Sequence, residues 1–365
     1  KDTVDFKINN GGPTEENEYL MTLQPFRFVH LSSGKTYSID EWPMHKEVHA
    51  VAGLGNPGRF FDALTQLGFS IERHPFPDHH KFIDTDFNFL DQHPNLIIAK
   101  GDVRNIEEIP LEGIDCIIHL ASIANDPCGD LNPKLTWEVS ALATMQLADK
   151  ANRLGVKRFI YASSGSVYGI KEEEDVTEDL DLTPISEYNK TKMVAERVLL
   201  SYQDQMIVQI VRPATVCGYS PRMRLDVSVN LLTMHALSNG KITVFGGTQV
   251  RPNIHIDDIT DLYIHLIDHP KFTGIFNAGF ENISILNIAE MVTKHLPVEI
   301  EITESNDPRS YRVNSDKILA TGFKPKKGVN DAIVEIIEHY RSGVLKNDDK
   351  YHNLKWMQSN QQFFK

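Results

Sequence analysis

Arg158-Phe159-Ile160-Tyr161-Ala162-Ser163-Ser164-Gly165-Ser166-Val167-Tyr168-Gly169 is the stretch on which the reading of this 365-residue chain turns. Its first half is a short apolar run of strand-forming residues, and its second half is a hydroxyl-rich turn. A segment of helical period, Glu187–Tyr202, follows about twenty residues later. Working outward, runs of the same kind recur at His49–Gly53, Ser70–His74, Leu96–Lys100, Cys116–Ala121, Ile207–Pro213 and Gly274–Asn277. Between them lie helical patterns near Arg59–Leu67, Leu135–Leu154, Leu225–Ser238, Asp257–Ile267 and Leu286–Leu296. Strands that are apolar on both faces and alternate with helices imply βαβ units and a doubly wound parallel sheet, hence an α/β fold. Asn314–Ala320 and Val329–Tyr340 read as helices of a smaller C-terminal lobe, and the polar tail from Lys346 as loosely ordered. Residues 1–47 differ: Tyr19–Thr22, Arg27–Leu31 and Thr36–Ile39, around the turn Ser32-Ser33-Gly34-Lys35, suggest a β-hairpin appendage.

Composition removes several classes of function. With 37 Lys+Arg against 50 Asp+Glu, the net charge is −13, and an acidic surface repels nucleic-acid phosphates. No nucleic-acid partner is expected. The chain has no apolar run of membrane-spanning length and no basic-then-apolar leader, so no membrane span is expected and the cytoplasm is the expected compartment. Three cysteines, Cys116, Cys128 and Cys217, show neither metal-site nor disulfide spacing, so the expected metal set is none and the thiols are read as packing.

The chemistry gathers at Tyr188-Asn189-Lys190-Thr191-Lys192 together with the SSGSVYG turn. Tyr188 and Lys192 are four apart and share one helix face. A phenol of pKa about 10 is a poor base at neutral pH, and a nearby ammonium is expected to favour the phenolate and bring that value down. Ser164, at the carboxyl end of a strand, is placed to hydrogen-bond the same reacting oxygen, where open α/β sheets take their ligands. A lone YxxxK is weak; its pairing with the hydroxyl-rich turn upstream, in order, is strong.

At these residues the chain resembles the extended short-chain dehydrogenase/reductase family, in its nucleotide-sugar epimerase and dehydratase branch, over about residues 93–343. The resemblance implies a Rossmann-like sheet with a smaller C-terminal substrate lobe. It also implies catalysis by Tyr188, Lys192 and Ser164. Gly101-Asp102-Val103 resembles the acidic position near the adenine, and His119-Leu120-Ala121-Ser122 the strand end beside the cofactor. With Ser163, Tyr188, Lys192 and Pro213, the residues Asp102, Val103, Leu120, Ala121 and Ser122 are the implied cofactor contacts. Val211-Arg212-Pro213-Ala214-Thr215-Val216-Cys217-Gly218-Tyr219 is similar to the family's RxxNVYGP stretch, with Thr215 for its asparagine. Arg251-Pro252-Asn253-Ile254-His255-Ile256-Asp257-Asp258 resembles the RDFIHVDD signature, whose arginine grips a diphosphate. Ser164, Ser166, Arg251 and Arg309 are the implied substrate contacts, while His255 is read as scaffold. The implied reaction is UDP-glucose 4-epimerase-like, with NAD as cofactor and a homodimer as the usual assembly. A nucleotide-sugar reductase or dehydrogenase is the alternative. Ser164-Gly165 stands where dehydratases carry Asp-Glu, which disfavours elimination. Ser140 takes the place of the family's helix asparagine.

The amino end departs from that family. Its expected GxxGxxG opening is replaced by Val48-His49-Ala50-Val51-Ala52-Gly53-Leu54-Gly55-Asn56-Pro57-Gly58, and His74-Pro75-Phe76-Pro77-Asp78-His79-His80 follows. Residues 1–90 resemble the carboxyl-terminal part of tetraacyldisaccharide 4′-kinase, the lipid A kinase, so the chain reads as a hybrid with lipopolysaccharide biosynthesis as its implied setting. The kinase's GxxxxGK[ST] loop is nowhere in the chain, so kinase activity is not implied. Gly53, Gly55 and Gly58 spell GxGxxG between a strand and a helix. They either cradle a pyrophosphate at the helix N-terminus or only make a tight turn. A second alternative is therefore a non-catalytic fusion or truncation product. NAD against NADP stays open here, because Arg73 would equally suit a 2′-phosphate. The expected organisation is a hairpin appendage at 1–47 and a kinase-like βαβ segment at 48–92, joined to the sheet. A dinucleotide-binding domain follows at 93–217 and 246–280, a substrate lobe at 218–245 and 281–345, and a tail at 346–365.

Overall fold

The structure, a computed structural model, describes residues 7–9, 18–20, 27–29, 36–38, 47–52, 57–75, 99, 101–305 and 310–360. The chain divides into two units, Lys1–Ala99 and Lys100–Lys365.

In the first unit β1 (Lys7–Asn9) runs parallel to β2 (Glu18–Leu20), and β3 (Arg27–Val29) pairs antiparallel with β4 (Thr36–Ser38). β5 (Glu47–Ala52), α1 (Pro57–Gln66) and β6 (Ser70–Pro75) form a parallel βαβ unit. Its helix opens on Pro57, whose fixed φ suits the first helical position, and seats buried Phe61 against Leu64 and Ile71. Gly58 is the second residue of α1. Gly53, Gly55, the HPFPDHH run from Phe76 onward and, except for Ala99, the expected strand Leu96–Lys100 lie outside the described residues.

The second unit runs in the order β7 (Cys116–His119), α2 (Asp126–Leu131), α3 (Pro133–Trp137), α4 (Ala143–Arg153), β8 (Arg158–Ala162), α5 (Glu187–Leu200), β9 (Ile207–Pro213), β10 (Thr215–Cys217) and α6 (Ser228–Asn239). It continues through β11 (Lys241–Phe245), β12 (Val250–His255), α7 (Ile256–Asp268), β13 (Gly274–Ala278), β14 (Glu281–Ser284), α8 (Ile285–His295), β15 (Glu299–Thr303), α9 (Asp316–Leu319), α10 (Val329–Arg341) and α11 (Asn353–Ser359). Four strands form a parallel sheet in the order β13-β9-β8-β7, so the fold is the Rossmann-like α/β arrangement that the alternation implies. Successive side chains of a strand point to opposite faces. Phe159 and Tyr161 accordingly pack with Leu147, Ala195 and Leu199 of α4 and α5, whereas Ile160 packs with Leu262, Leu266 and Ile318 of α7 and α9. A second core, built from α6, α8, α10 and β11, supports the smaller lobe.

Two expectations need correction. The single helix Leu135–Leu154 is in fact α3 and α4 joined by a π-helical turn, Glu138–Leu142; such bulges carry an extra residue that redirects side chains, here Ser140. The tail from Lys346 is not loose through Asn360. Leu345 is buried with Met223, Leu225, Met234 and Ile336, Tyr351 packs against them, and α11 buries Met357. Its apolar residues are too widely spaced among charges to show a period. Among the described residues no helix is long and apolar enough to cross a membrane.

Candidate active site

Strand ends and helix starts place the site. Ser163 and Ser164 leave β8 at its carboxyl end, and Ser164 begins a short 3-10 turn, Gly165–Tyr168, that closes on Gly169. Gly169 has φ 71°, and a Cβ there would stand 2.0 Å from the Thr183 carbonyl, so the turn requires glycine. Helix α5 is started by Ser186, whose Oγ accepts from Asn189 N at 3.1 Å and donates to Asp126 Oδ1 at 2.7 Å. The first turn of α5 thereby presents Tyr188 beside the β8 turn.

Ser164, Ser166, Tyr188, Pro213 and Arg251 line one cleft of about 730 Å³. The Ser164 and Ser166 hydroxyls lie 2.7 Å apart, and Ser166 Oγ donates to Asn189 Oδ1. Behind them Lys192 is buried. Its Nζ donates to the Ala162 carbonyl at 2.7 Å and sits 4.8 Å from the Tyr161 ring centre and 5.9 Å from that of Tyr188. Burial pulls the Lys192 ammonium down to about 7, against the opposing pull of Glu196. Tyr188 departs from expectation: burial raises its pKa, opposed by the Ser164 hydrogen bond and the Arg224 charge.

A buried network fixes this corner. Glu196 accepts from Ser163 Oγ and holds Arg212 at 3.0 and 2.7 Å. Arg212 Nη1 donates to the Tyr168 hydroxyl at 2.7 Å, which donates to Asn277 Oδ1 at 2.7 Å. Sequence reasoning passed over Glu196, although Tyr188, Lys192 and Glu196 step along α5 by four and so share a face. It also passed over Asn125, Asp126, Arg224, Asp226 and Leu354 in the cleft wall.

The other expected residues are dispersed or turned. Asp102 grips Arg104, with Nη2 to Oδ2 at 2.6 Å and the Arg104 backbone N–H to Oδ1 at 2.9 Å, which is the turn role. Val103 adjoins that pair. Leu120 and Ala121 are exposed just beyond β7, and Ser122 Oγ lies 3.0 Å from Ser140 Oγ, which also accepts from Ile123 N at 3.1 Å. The substituted helix serine thus supports the strand-end loop. Asp102, Val103, Leu120, Ala121, Ser122 and Lys192 are not in the cleft wall. Arg309 lies outside the described residues. His255 caps α7, its Nδ1 accepting from Asp257 N at 3.1 Å, and is buried 3.1 Å from Glu335. Lys327 reaches both Asp257 and Glu335 at 2.6 Å, so an ammonium already occupies the centre of this acidic group. Burial pushes the Cys217 thiol up to about 12.

Residues 77–279 match the NAD dependent epimerase/dehydratase family. The chain belongs to that family. Residues 2–117 match the tetraacyldisaccharide-1-P 4′-kinase family. The chain is therefore a hybrid of an epimerase/dehydratase domain and a kinase-like amino-terminal region. It is 28% identical over 268 residues to a UDP-glucose 4-epimerase of Lactobacillus helveticus, covering 66% of this chain and 81% of the relative. It is 42% identical over 103 residues to a tetraacyldisaccharide 4′-kinase of Methylobacillus flagellatus, but spans only 31% of that kinase's length. Among solved structures, the NAD and UDP-glucuronic acid complex of a Bacillus cereus UDP-glucuronic acid 4-epimerase superposes with a TM-score of 0.62 at 23% identity, covering 81% of this chain and 98% of the other. A dTDP-glucose 4,6-dehydratase from Streptomyces venezuelae gives 0.62 at 20% identity, covering 81% and 97%.

The family implies NAD, and the residues at the sheet's carboxyl edge fit its nicotinamide end. An ammonium has three donors, yet buried Lys192 uses one on Ala162, which leaves donors for ribose hydroxyls beside Tyr188.

Proposed function

We propose that this epimerase/dehydratase is an NAD-dependent nucleotide-sugar 4-epimerase working through a transient keto-sugar. The observation that carries this reading is the placement of Ser164 and Tyr188 in one cleft with half-buried Arg251, and of Lys192 buried immediately behind. Ser164 holds the sugar hydroxyl, Tyr188 takes its proton and later returns it, and Lys192 orients the ribose. Bound NAD supplies hydride transfer in both directions. Arg251, on β12, offers a planar bidentate donor suited to a diphosphate. Ser164-Gly165, where an elimination would need carboxylates, speaks against the dehydratase reaction. No kinase activity is proposed, since the chain lacks GxxxxGK[ST].

The test is to incubate the full chain with UDP-glucose and NAD, then separate the products. Interconversion with UDP-galactose and no net NADH supports epimerisation. NADH in proportion to substrate consumed supports the dehydrogenase alternative, and binding of neither NAD nor NADP overturns the enzyme reading.

A further inference from the structure

Residues 346–360 lie beyond the end of the family match at residue 279, and they reach the cleft that Tyr188 lines. Leu354 on α11 lines the cleft. Its neighbour Asn353 donates its backbone N–H to Asp226 Oδ2 at 3.1 Å, and its side chain accepts from Arg222 at 3.1 Å. The same Asp226 oxygen accepts from Asn125 Nδ2 at 3.1 Å, and Asp226 Oδ1 holds Arg224 Nε at 3.0 Å. Asn125 in turn caps α2, accepting from Cys128 N at 2.9 Å. Helix α2 packs on Tyr188 so closely that a Cβ at Gly129 would lie 3.0 Å from the Tyr188 backbone N. One backbone bond more, Leu225 N to Tyr351 O at 2.8 Å, fastens the tail to the smaller lobe. The tail therefore spans from the smaller lobe to the helix behind Tyr188, and Asp226 is the knot.

We propose that Leu354 is a specificity-determining residue: it forms a wall of the cleft shared with Tyr188 on which the sugar of a nucleotide sugar, and not its nucleotide, packs. This rests on the nucleotide-sugar reading above. An apolar wall at this place packs on a sugar's C–H face, and its shape decides how much ring the cleft admits. Misfit of one group in such a pocket changes discrimination by about 10- to 200-fold.

The experiment uses the full chain with UDP and UDP-glucose as probes, each titrated calorimetrically, alongside KM and kcat for UDP-glucose. Leu354→Trp is expected to weaken UDP-glucose at least about tenfold while UDP binding stays within about twofold. Leu354→Met, of similar volume, is expected to stay near the parent for both probes. Equal loss of UDP and UDP-glucose in a folded Leu354→Trp variant, or no loss of either, overturns the proposal. If Leu354→Trp fails to fold, Leu354→Ala takes its place, and an unchanged KM for UDP-glucose then overturns it. A parent chain that binds UDP-glucose no better than UDP overturns the wall while leaving the family reading standing. A parent that binds neither removes both.

Discussion

At the scale of single residues, the site depends on which side chains burial strips of their ordinary acid/base character. Burial raises Tyr188 and keeps its phenol protonated, with the Ser164 hydrogen bond and the Arg224 charge opposing, so the proposed exchange of a proton with a sugar hydroxyl requires that a positive charge first be brought beside the ring to favour the phenolate. Tyr188→Phe is expected to lower kcat by about 10² to 10⁴-fold with UDP-glucose affinity nearly unchanged, because only the transition state loses the contact. Retention of more than about a tenth of parent turnover removes Tyr188 from this role. Lys192 carries a second, independent expectation. With its pKa lowered from 10.5 to about 7, the unfolded chain holds a proton across that window that the folded chain does not. The lysine's contribution to stability therefore rises with pH from about 7 to about 10.5 and is flat below. In Lys192→Met that part of the rise should vanish, visible as a smaller pH dependence of the urea midpoint than in the parent.

At the scale of elements, α5 is where the chemistry and the core meet. Tyr188, Lys192 and Glu196 occupy successive turns, and the last is salt-bridged to Arg212 on β9 with both side chains nearly inaccessible, 1% and 3% exposed. Removing one partner of a buried pair leaves an uncompensated charge, so Glu196→Gln or Arg212→Met should each cost about 3–5 kcal/mol, whereas the double change should cost less than either. Denaturant melts of the three variants check this; additive losses would show that the pair is not coupled. The parallel sheet, α5 and the hydroxyl turn were legible because apolar strands covered on both faces leave near-continuous runs. So did the YxxxK spacing, because four residues are one helical step. Glu196 was hidden because its partner sits on a strand sixteen residues away. The strand Val250–His255 was hidden by Pro252 and Asn253, which break an apolar run. The tail was hidden because Leu345, Tyr351 and Met357 show no period until the smaller lobe receives them.

At the scale of the whole molecule, the chain joins a kinase-like βαβ unit to an epimerase/dehydratase domain whose described parallel sheet ends at β7. The sequence Gly53-Leu54-Gly55-Asn56-Pro57-Gly58, which reads either as a pyrophosphate cradle or as a tight turn, leads into α1. If those glycines let backbone amides reach the phosphates, a branched side chain in their midst blocks the approach. Gly55→Val is then expected to abolish NAD binding by titration with little change in melting temperature. A parent that binds NAD and a Gly55→Val variant that binds it equally well would assign the loop to turn-making alone.

Asn125 has φ 75° and ψ 159°, a backbone region that is nearly reserved for glycine, and it is the only non-glycine residue with positive φ among those described. Its conformation is held at a cost of about 1–3 kcal/mol by the cap on α2 and the bond to Asp226. A glycine there would relax the backbone and release both bonds. Asn125→Gly should therefore leave the melting temperature nearly unmoved while loosening the loop that carries Asp126 to the cleft, seen as faster amide exchange at Cys128 and a higher KM. At this one position the strain and the two bonds that it holds in place offset one another, so a measurement of global stability alone would score Asn125→Gly as silent while the edge of the cleft had loosened.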